Sequence, residues 1–210
     1  MNLRNKRVVW IAGMIIAAFI VALYFDSPII RGVSYLKDGL LDEIFLGLTF
    51  ISSTIIIFFL LTSLFLWSEN KRKWILPLWF TLLLSSIVGF ILKVSIQRLR
   101  PFQLGLINLP EFLMKNSYTA WDFSFPSNHA VLAFCALPIL SKEFPKLKYV
   151  WLALACLIGF SRIYFGFHFL SDVIAGATIG YLIGFAVVKA EKEGRFWEKV
   201  YWRIYDKFVK

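Results

Sequence analysis

The sequence predicts an all-α protein, a bundle of six membrane-crossing helices, and three observations predict it. Apolar runs of membrane length recur along the whole chain. Basic residues gather in alternate connections between those runs. The two histidines and several cations stand at run ends, where charge is costly in lipid and functional residues concentrate. Hydrophobic residues make up 59% of the 210 positions, with 22 phenylalanines, and mean hydropathy is +0.71, well outside the range of a soluble domain.

The runs span residues 8–24, 44–67, 74–96, 127–140, 149–166 and 169–188. Most are long enough to cross a hydrocarbon core of roughly 30 Å at about 1.5 Å per residue. The fourth is short, so its helix is expected to start below the outer surface and leave a recess. The basic stretch before the first run resembles a secretory leader, but Tyr24, Phe25 and Asp26 offer no small-residue cleavage site, and the run reads as an uncleaved anchor. Between the first two runs Ile29, Val33, Leu36 and Leu40 recur at helical spacing among Arg31, Lys37 and Asp38; a short interfacial helix and a solvated loop fit equally well.

Residues 98–125 form the longest connection. Leu104, Leu106, Ile107, Leu109, Phe112, Leu113, Tyr118 and Trp121 make it apolar for a surface loop, and it reads as a flap that touches lipid and borders the site. In the last run Gly176, Gly180 and Gly184 repeat every fourth residue, a spacing that lets another helix approach closely. Packing inside the bundle is favoured over a homodimer face. Beyond it Phe196, Trp197, Val200, Tyr201, Ile204 and Phe208 alternate with Lys199, Arg203 and Lys207, as in an amphipathic helix resting on an anionic leaflet. No repeat or linker interrupts residues 1–210, which read as one domain.

A net charge of +10 invites a nucleic-acid reading, but the positions of the charges argue against it. Sixteen of the 23 Lys and Arg residues precede the first run, fill the second and fourth connections, or follow the last run. By the positive-inside rule this places both termini in the cytoplasm and the polar blocks on the outer face of the cell membrane. Cys135 and Cys156 fall inside apolar runs, where neither a disulfide nor a thiol or zinc site is implied.

Three polar blocks carry the chemistry. Lys93 and Arg100 are seven residues apart and share a face if the helix persists, with Arg98 pointing elsewhere; a lysine alone at such a place would simply snorkel. Pro126 and Ser127 precede an apolar run, a helix start with the serine as cap. Helix N-termini bind phosphate through their unpaired N–H groups, and His129 falls in the first turn. His168 and Asp172 are i and i+4 on one face if the last helix begins near Gly166, so the carboxylate can hold the imidazole's tautomer.

Lys93, six residues, Arg100 and Pro101, then Pro126, Ser127, Asn128 and His129, then Ser161, Arg162, five residues, His168, three residues and Asp172 together resemble the three-part signature of the type-2 phosphatidic-acid phosphatase superfamily. That superfamily also holds bacterial acid phosphatases and vanadium haloperoxidases. The ordered set is far more specific than any one motif. The resemblance implies a metal-independent lipid phosphatase without cofactor, in which His168 attacks phosphorus to form a phosphohistidine, Asp172 orients it, and His129 protonates the leaving group. Lys93, Arg100, Ser127, Asn128 and Arg162 would hold the phosphate oxygens. Phosphoryl transfer is mostly positioning and charge neutralisation, which fixed cations can supply.

One position departs from the pattern: Asn128 stands where the superfamily usually has glycine, and is expected to tune substrate fit. The expected partners are the bilayer and a lipid phosphate, a polyprenyl diphosphate such as undecaprenyl diphosphate first. Phosphatidylglycerol phosphate and phosphatidic acid come next. A lipid phosphotransferase is a further reading, and an anion or lipid-phosphate transporter the one from another class, though inverted repeats and broken helices typical of transporters are not evident.

Overall fold

The computed structural model describes residues 3–108 and 123–208, and helices are the regular elements among them. Helix α1 (Leu3–Ser34) is apolar on nearly every face, and among its described side chains it buries only Ala22, Asp26, Ile30 and Val33. These residues form a single stripe, and the rest of the helix faces outward, as a lipid-bathed span does. Among the described residues four helical stretches are long and apolar enough to cross a membrane, five if one bent pair counts as a span. The protein is thus a multi-pass helical membrane protein, with the expected fourth run forming a 16-residue helix below that length.

The bent pair corrects one expectation. Residues 44–67 do not form a straight span: α2 (Gly39–Ile51) and α3 (Thr54–Leu66) meet at 70°. Ser52, Ser53 and Thr54 stand in succession at the break, where hydroxyls compete with the helix ladder. Ser52 Oγ donates to Thr49 O (3.0 Å), and the backbone N–H groups of Ser52 and Ser53 turn back to Leu48 O and Phe50 O. The short interfacial helix between the first two spans is likewise absent as a separate element. Ile29 and Val33 belong to the end of α1, and Leu40 opens α2.

A 3₁₀ turn (Glu69–Trp74) leads into α4 (Ile75–Ile96). The chain then enters a turn over residues 97–108. Within the expected flap, Leu104 is exposed and Ile107 is buried, while Leu109, Phe112, Leu113, Tyr118 and Trp121 lie outside the described residues. Helix α5 (Asn128–Glu143), a 3₁₀ turn (Pro145–Leu147), α6 (Lys148–Tyr164), α7 (Leu170–Gly194) and α8 (Phe196–Phe208) complete the order.

Helices α5 and α7 pack most extensively, and the glycine stripe explains how. A Cβ on Gly176, Gly180 or Gly184 would stand 2.7, 2.2 or 2.1 Å from the carbonyl oxygens of Ser127, Val131 and Cys135. The backbones touch because no side chain separates them, which confirms packing within the bundle. Without a hydrophobic drive between helices in lipid, such contact supplies the association. On one side Ile57, Leu61, Phe65, Leu78, Leu82 and Ile139 form an apolar core among α3, α4 and α5. On the other, fully buried Tyr164 donates to Asp42 Oδ1 (2.7 Å) and accepts from Asp38 N (3.3 Å), tying the start of α2 to α6.

Candidate active site

Because α4 to α7 run alternately up and down, the C-terminal ends of α4 and α6 and the N-terminal ends of α5 and α7 meet at one end of the bundle. Those ends carry the three blocks. Lys93, buried in the last turn of α4, donates to the carbonyl of Phe123. The helix does not persist to Arg100. Gln97 adopts a left-handed conformation (φ 52°) and returns its N–H to Lys93 O (3.1 Å), ending the helix before the sequence can carry both cations on one face. Arg100 arrives on the following turn instead. Its backbone N–H donates to Gln103 Oε1 (2.8 Å) and its Nη1 to the carbonyl of Phe167 (3.1 Å).

Ser127 occupies the cap position of α5, but its hydroxyl makes no capping bond. The buried Oγ has no hydrogen-bond partner, and neither has Asn128 Oδ1. The backbone is held from behind, Ser127 N donating to Asp172 O (3.1 Å). A buried hydroxyl without a partner costs free energy unless a ligand engages it. His129 follows, half-buried, in the first turn.

Arg162 closes α6. Its Nη2 donates to Thr49 Oγ1 (3.0 Å) on α2, while its buried Nε has no partner. The rings and charges stack: Phe167 lies 4.8 Å from the Arg162 guanidinium and 5.9 Å from that of Arg100. Gly166 (φ 71°) makes the turn after α6, and a Cβ there would collide with Ile107. This lets the backbone N–H groups of Phe167 and His168 fold back onto Arg162 O at 3.0 and 3.2 Å. Ser161, also within the third block, is spent on its own helix, donating to Ile158 O.

His168 is 3% exposed. Its Nδ1 lies 2.6 Å from the carbonyl of Ser124 and 3.9 Å from Asp172 Oδ2. The i, i+4 spacing therefore brings the carboxylate near without making it the primary partner. A carbonyl only accepts, so Nδ1 carries the proton and Nε2 keeps its lone pair. Burial first, then the charges of Arg100, Lys93 and Arg162, hold the imidazole's pKa well below its ordinary value and keep it neutral. Both imidazoles lie in the field of those three cations.

Asp172 does something the spacing did not reveal. Its Oδ2 accepts from Phe169 N (2.8 Å), capping α7, and from Ser124 Oγ (2.5 Å); its Oδ1 accepts from Arg98 Nη1 (2.7 Å). Arg98 thus points away from the Lys93 face, as expected, but into a buried network with Asp26, Ser124 and Ser171 that no local spacing announces; Thr49, the partner of Arg162, is likewise unannounced. Asp26 gave one signal, a carboxylate at the edge of an apolar run. Among the described residues no three His, Cys, Asp or Glu side chains converge as metal ligands.

The chain as a whole is similar to known proteins. Undecaprenyl-diphosphatase of Sulfolobus acidocaldarius is 32% identical over 136 residues, covering 63% of this chain and 63% of that protein, just under two thirds of its length. Phosphatidylglycerophosphatase B of Bacillus subtilis is 29% identical over 193 residues, 83% of this chain and 87% of that protein. The crystal structure of Aquifex aeolicus LpxE is similar with a TM-score of 0.64 at 29% identity, over 79% of this chain and 95% of that one. The model of the PAP2 superfamily matches residues 74–195, more than half of the chain and all three blocks. The chain belongs to the PAP2 superfamily.

Proposed function

We propose that the chain is a lipid phosphatase that hydrolyses a membrane lipid's phosphate or diphosphate through a phosphohistidine, without a metal. The reading is carried by one observation: His168 donates from Nδ1 to the carbonyl of Ser124 (2.6 Å), which leaves Nε2 with a lone pair beside three cations. Nε2 attacks phosphorus as the bond to the leaving oxygen breaks, and His129 gives that oxygen a proton. His129 then takes a proton from water, whose oxygen attacks phosphorus and releases the imidazole. Lys93, Arg100 and Arg162, with Ser127 Oγ and the backbone at Asn128, hold the non-bridging oxygens as charge develops.

The preferred substrate is a polyprenyl diphosphate presented at the outer face of the cell membrane, with both termini in the cytoplasm. Likeness to an undecaprenyl-diphosphatase supports this choice, and likeness to a phosphatidylglycerophosphatase supports phosphatidylglycerol phosphate as the alternative. The test is phosphate release from a panel of lipid diphosphates and monophosphates by protein in detergent with excess chelator, beside His168→Ala. Release by the unmutated protein and none by His168→Ala is expected, with His129→Ala slower than the unmutated protein by about 10²–10⁴-fold. Activity must also fall on the acid side as His168 gains a proton; because burial and cations lower its pKa, the midpoint of that fall in kcat/KM lies below the ordinary imidazole value of about 6.5. A rate abolished by chelation, or full activity in His168→Ala, overturns the mechanism.

A further inference from the structure

Phosphate chemistry does not account for Asp26. It is a carboxylate on α1, a helix that otherwise faces outward, yet it is 3% exposed, and an ionisable group so placed is costly unless paired. Its partner is the one cation of the 98–100 segment that points away from the phosphate cradle. The geometry points to Asp26 and Arg98 as positioning residues for the reaction: they clamp Asp172, Asp172 fixes Ser124, and Ser124 fixes the imidazole of His168. This assignment rests on the phosphatase reading given above.

Each link is a short contact. Arg98 Nη2 meets Asp26 Oδ2 at 2.8 Å and Nη1 meets Asp172 Oδ1 at 2.7 Å, so one planar guanidinium spans two carboxylates from α1 and α7. The same Nη1 reaches Ser171 Oγ at 2.7 Å, and the guanidinium lies 4.0 Å from the Phe169 ring centre. Asp26 is secured in turn by Ser171, accepting from its N (3.0 Å) and its Oγ (2.5 Å). On the other side Ser124 is gripped twice: its Oγ donates to Asp172 Oδ2 and its N to the carbonyl of Arg98 (2.7 Å). What remains of Ser124 is its carbonyl, which receives His168 Nδ1–H.

The clamp therefore sets both the tautomer and the angle of the attacking ring, and it needs the two-sided fork of arginine; a lysine ammonium is a point charge that cannot span both carboxylates. Lys93, Arg100 and Arg162, the groups read as holding phosphate, are not among its members. Loss of the clamp must then appear in turnover, with substrate binding retained.

The test is steady-state hydrolysis of undecaprenyl diphosphate in detergent micelles by the intact protein. Arg98→Met is expected to lower kcat by about 100-fold, the penalty of misplacing a reacting group by about 1 Å, with KM within about threefold. Arg98→Lys, which restores charge but only one side of the fork, is expected to recover about tenfold of that loss, a partial rescue that a packing role would not produce. Asp26→Asn, isosteric and still able to accept from Ser171, is expected to lower kcat by about tenfold at unchanged KM, and decides the matter if Arg98→Met is not monodisperse. An Arg98→Met or Asp26→Asn kcat near that of the unmutated protein, or a loss carried by KM, overturns the assignment alone. An unmutated protein that releases no phosphate overturns the phosphatase reading and the assignment with it.

Discussion

Gly89 on α4 and Asn128 at the head of α5 touch so closely that a Cβ on residue 89 would stand 2.8 Å from Asn128 Oδ1. The asparagine fits between α4 and Ser127 because its neighbour on α4 has no side chain. Gly89→Ala must displace the Asn128 amide, which stands between Ser127 and His129 in the chain, and is expected to lower kcat/KM by about tenfold, or about 1.4 kcal/mol of transition-state stabilisation. Asn128→Gly in the same background removes the collision and restores the rate. An equal loss in the single and double variants would assign the effect to the helix contact instead. At this scale the motif residues were readable, since Lys93, Arg100, Ser127, Arg162, His168 and Asp172 all converge, but the route was not: Arg100 arrives from the turn after α4 and not along its face. Arg98 and Asp26 escaped because their partners lie 72, 74 and 145 residues away in the chain, and no local period reports such a pairing. Ser124 escaped because its backbone carbonyl meets the imidazole, and a carbonyl is present at every position.

Among the elements, the glycine stripe of α7 is the feature whose physics the sequence stated most directly. Small residues every fourth position predict close approach, and the approach is to α5, whose first turn carries Ser127, Asn128 and His129. Gly180→Ala places a methyl group 2.2 Å from a backbone oxygen, and backbone cannot turn aside as a side chain can. The helices must separate, at a cost of about 2–3 kcal/mol by analogy with overpacked cores. Thermal unfolding in detergent is expected to show a clearly lower Tm for Gly180→Ala and none for Gly194→Ala, which meets open space. Equal midpoints would refute the close α5–α7 contact. Helix ends were harder to read than helix faces. Ser52, Ser53 and Thr54 at the break are uncharged and flanked by long apolar stretches, so hydropathy alone continued the span through them. The left-handed turn at Gln97 has no glycine to announce it, although Pro101 beyond it disfavours a helix there.

Across the whole molecule, the candidate site and the larger share of the basic residues occupy opposite ends. The site gathers where α4 and α6 finish and α5 and α7 begin. At the far end Lys71 donates to Glu143 O (2.9 Å), Lys73 pairs with Glu198 (3.1 Å), and Glu191 accepts from the backbone of Trp197 and Glu198 to start α8. Helix α4 has 22 residues and α7 has 25. At about 1.5 Å per residue each spans about 33 Å or more, enough to set the two ends on opposite sides of a hydrocarbon core of about 30 Å. With most Lys and Arg at the α8 end, the positive-inside rule predicts the proposed orientation, that end in the cytoplasm and the site outward. Labelling with a membrane-impermeant maleimide tests this in a Cys156→Ala background. Leu104→Cys, exposed near the site, is expected to react in intact cells, and Arg203→Cys on α8 only after the membrane is opened or inverted. The opposite pattern would put the site's cations and both histidines on the cytoplasmic face, and the lipid phosphate proposed as substrate would then have to be presented from within.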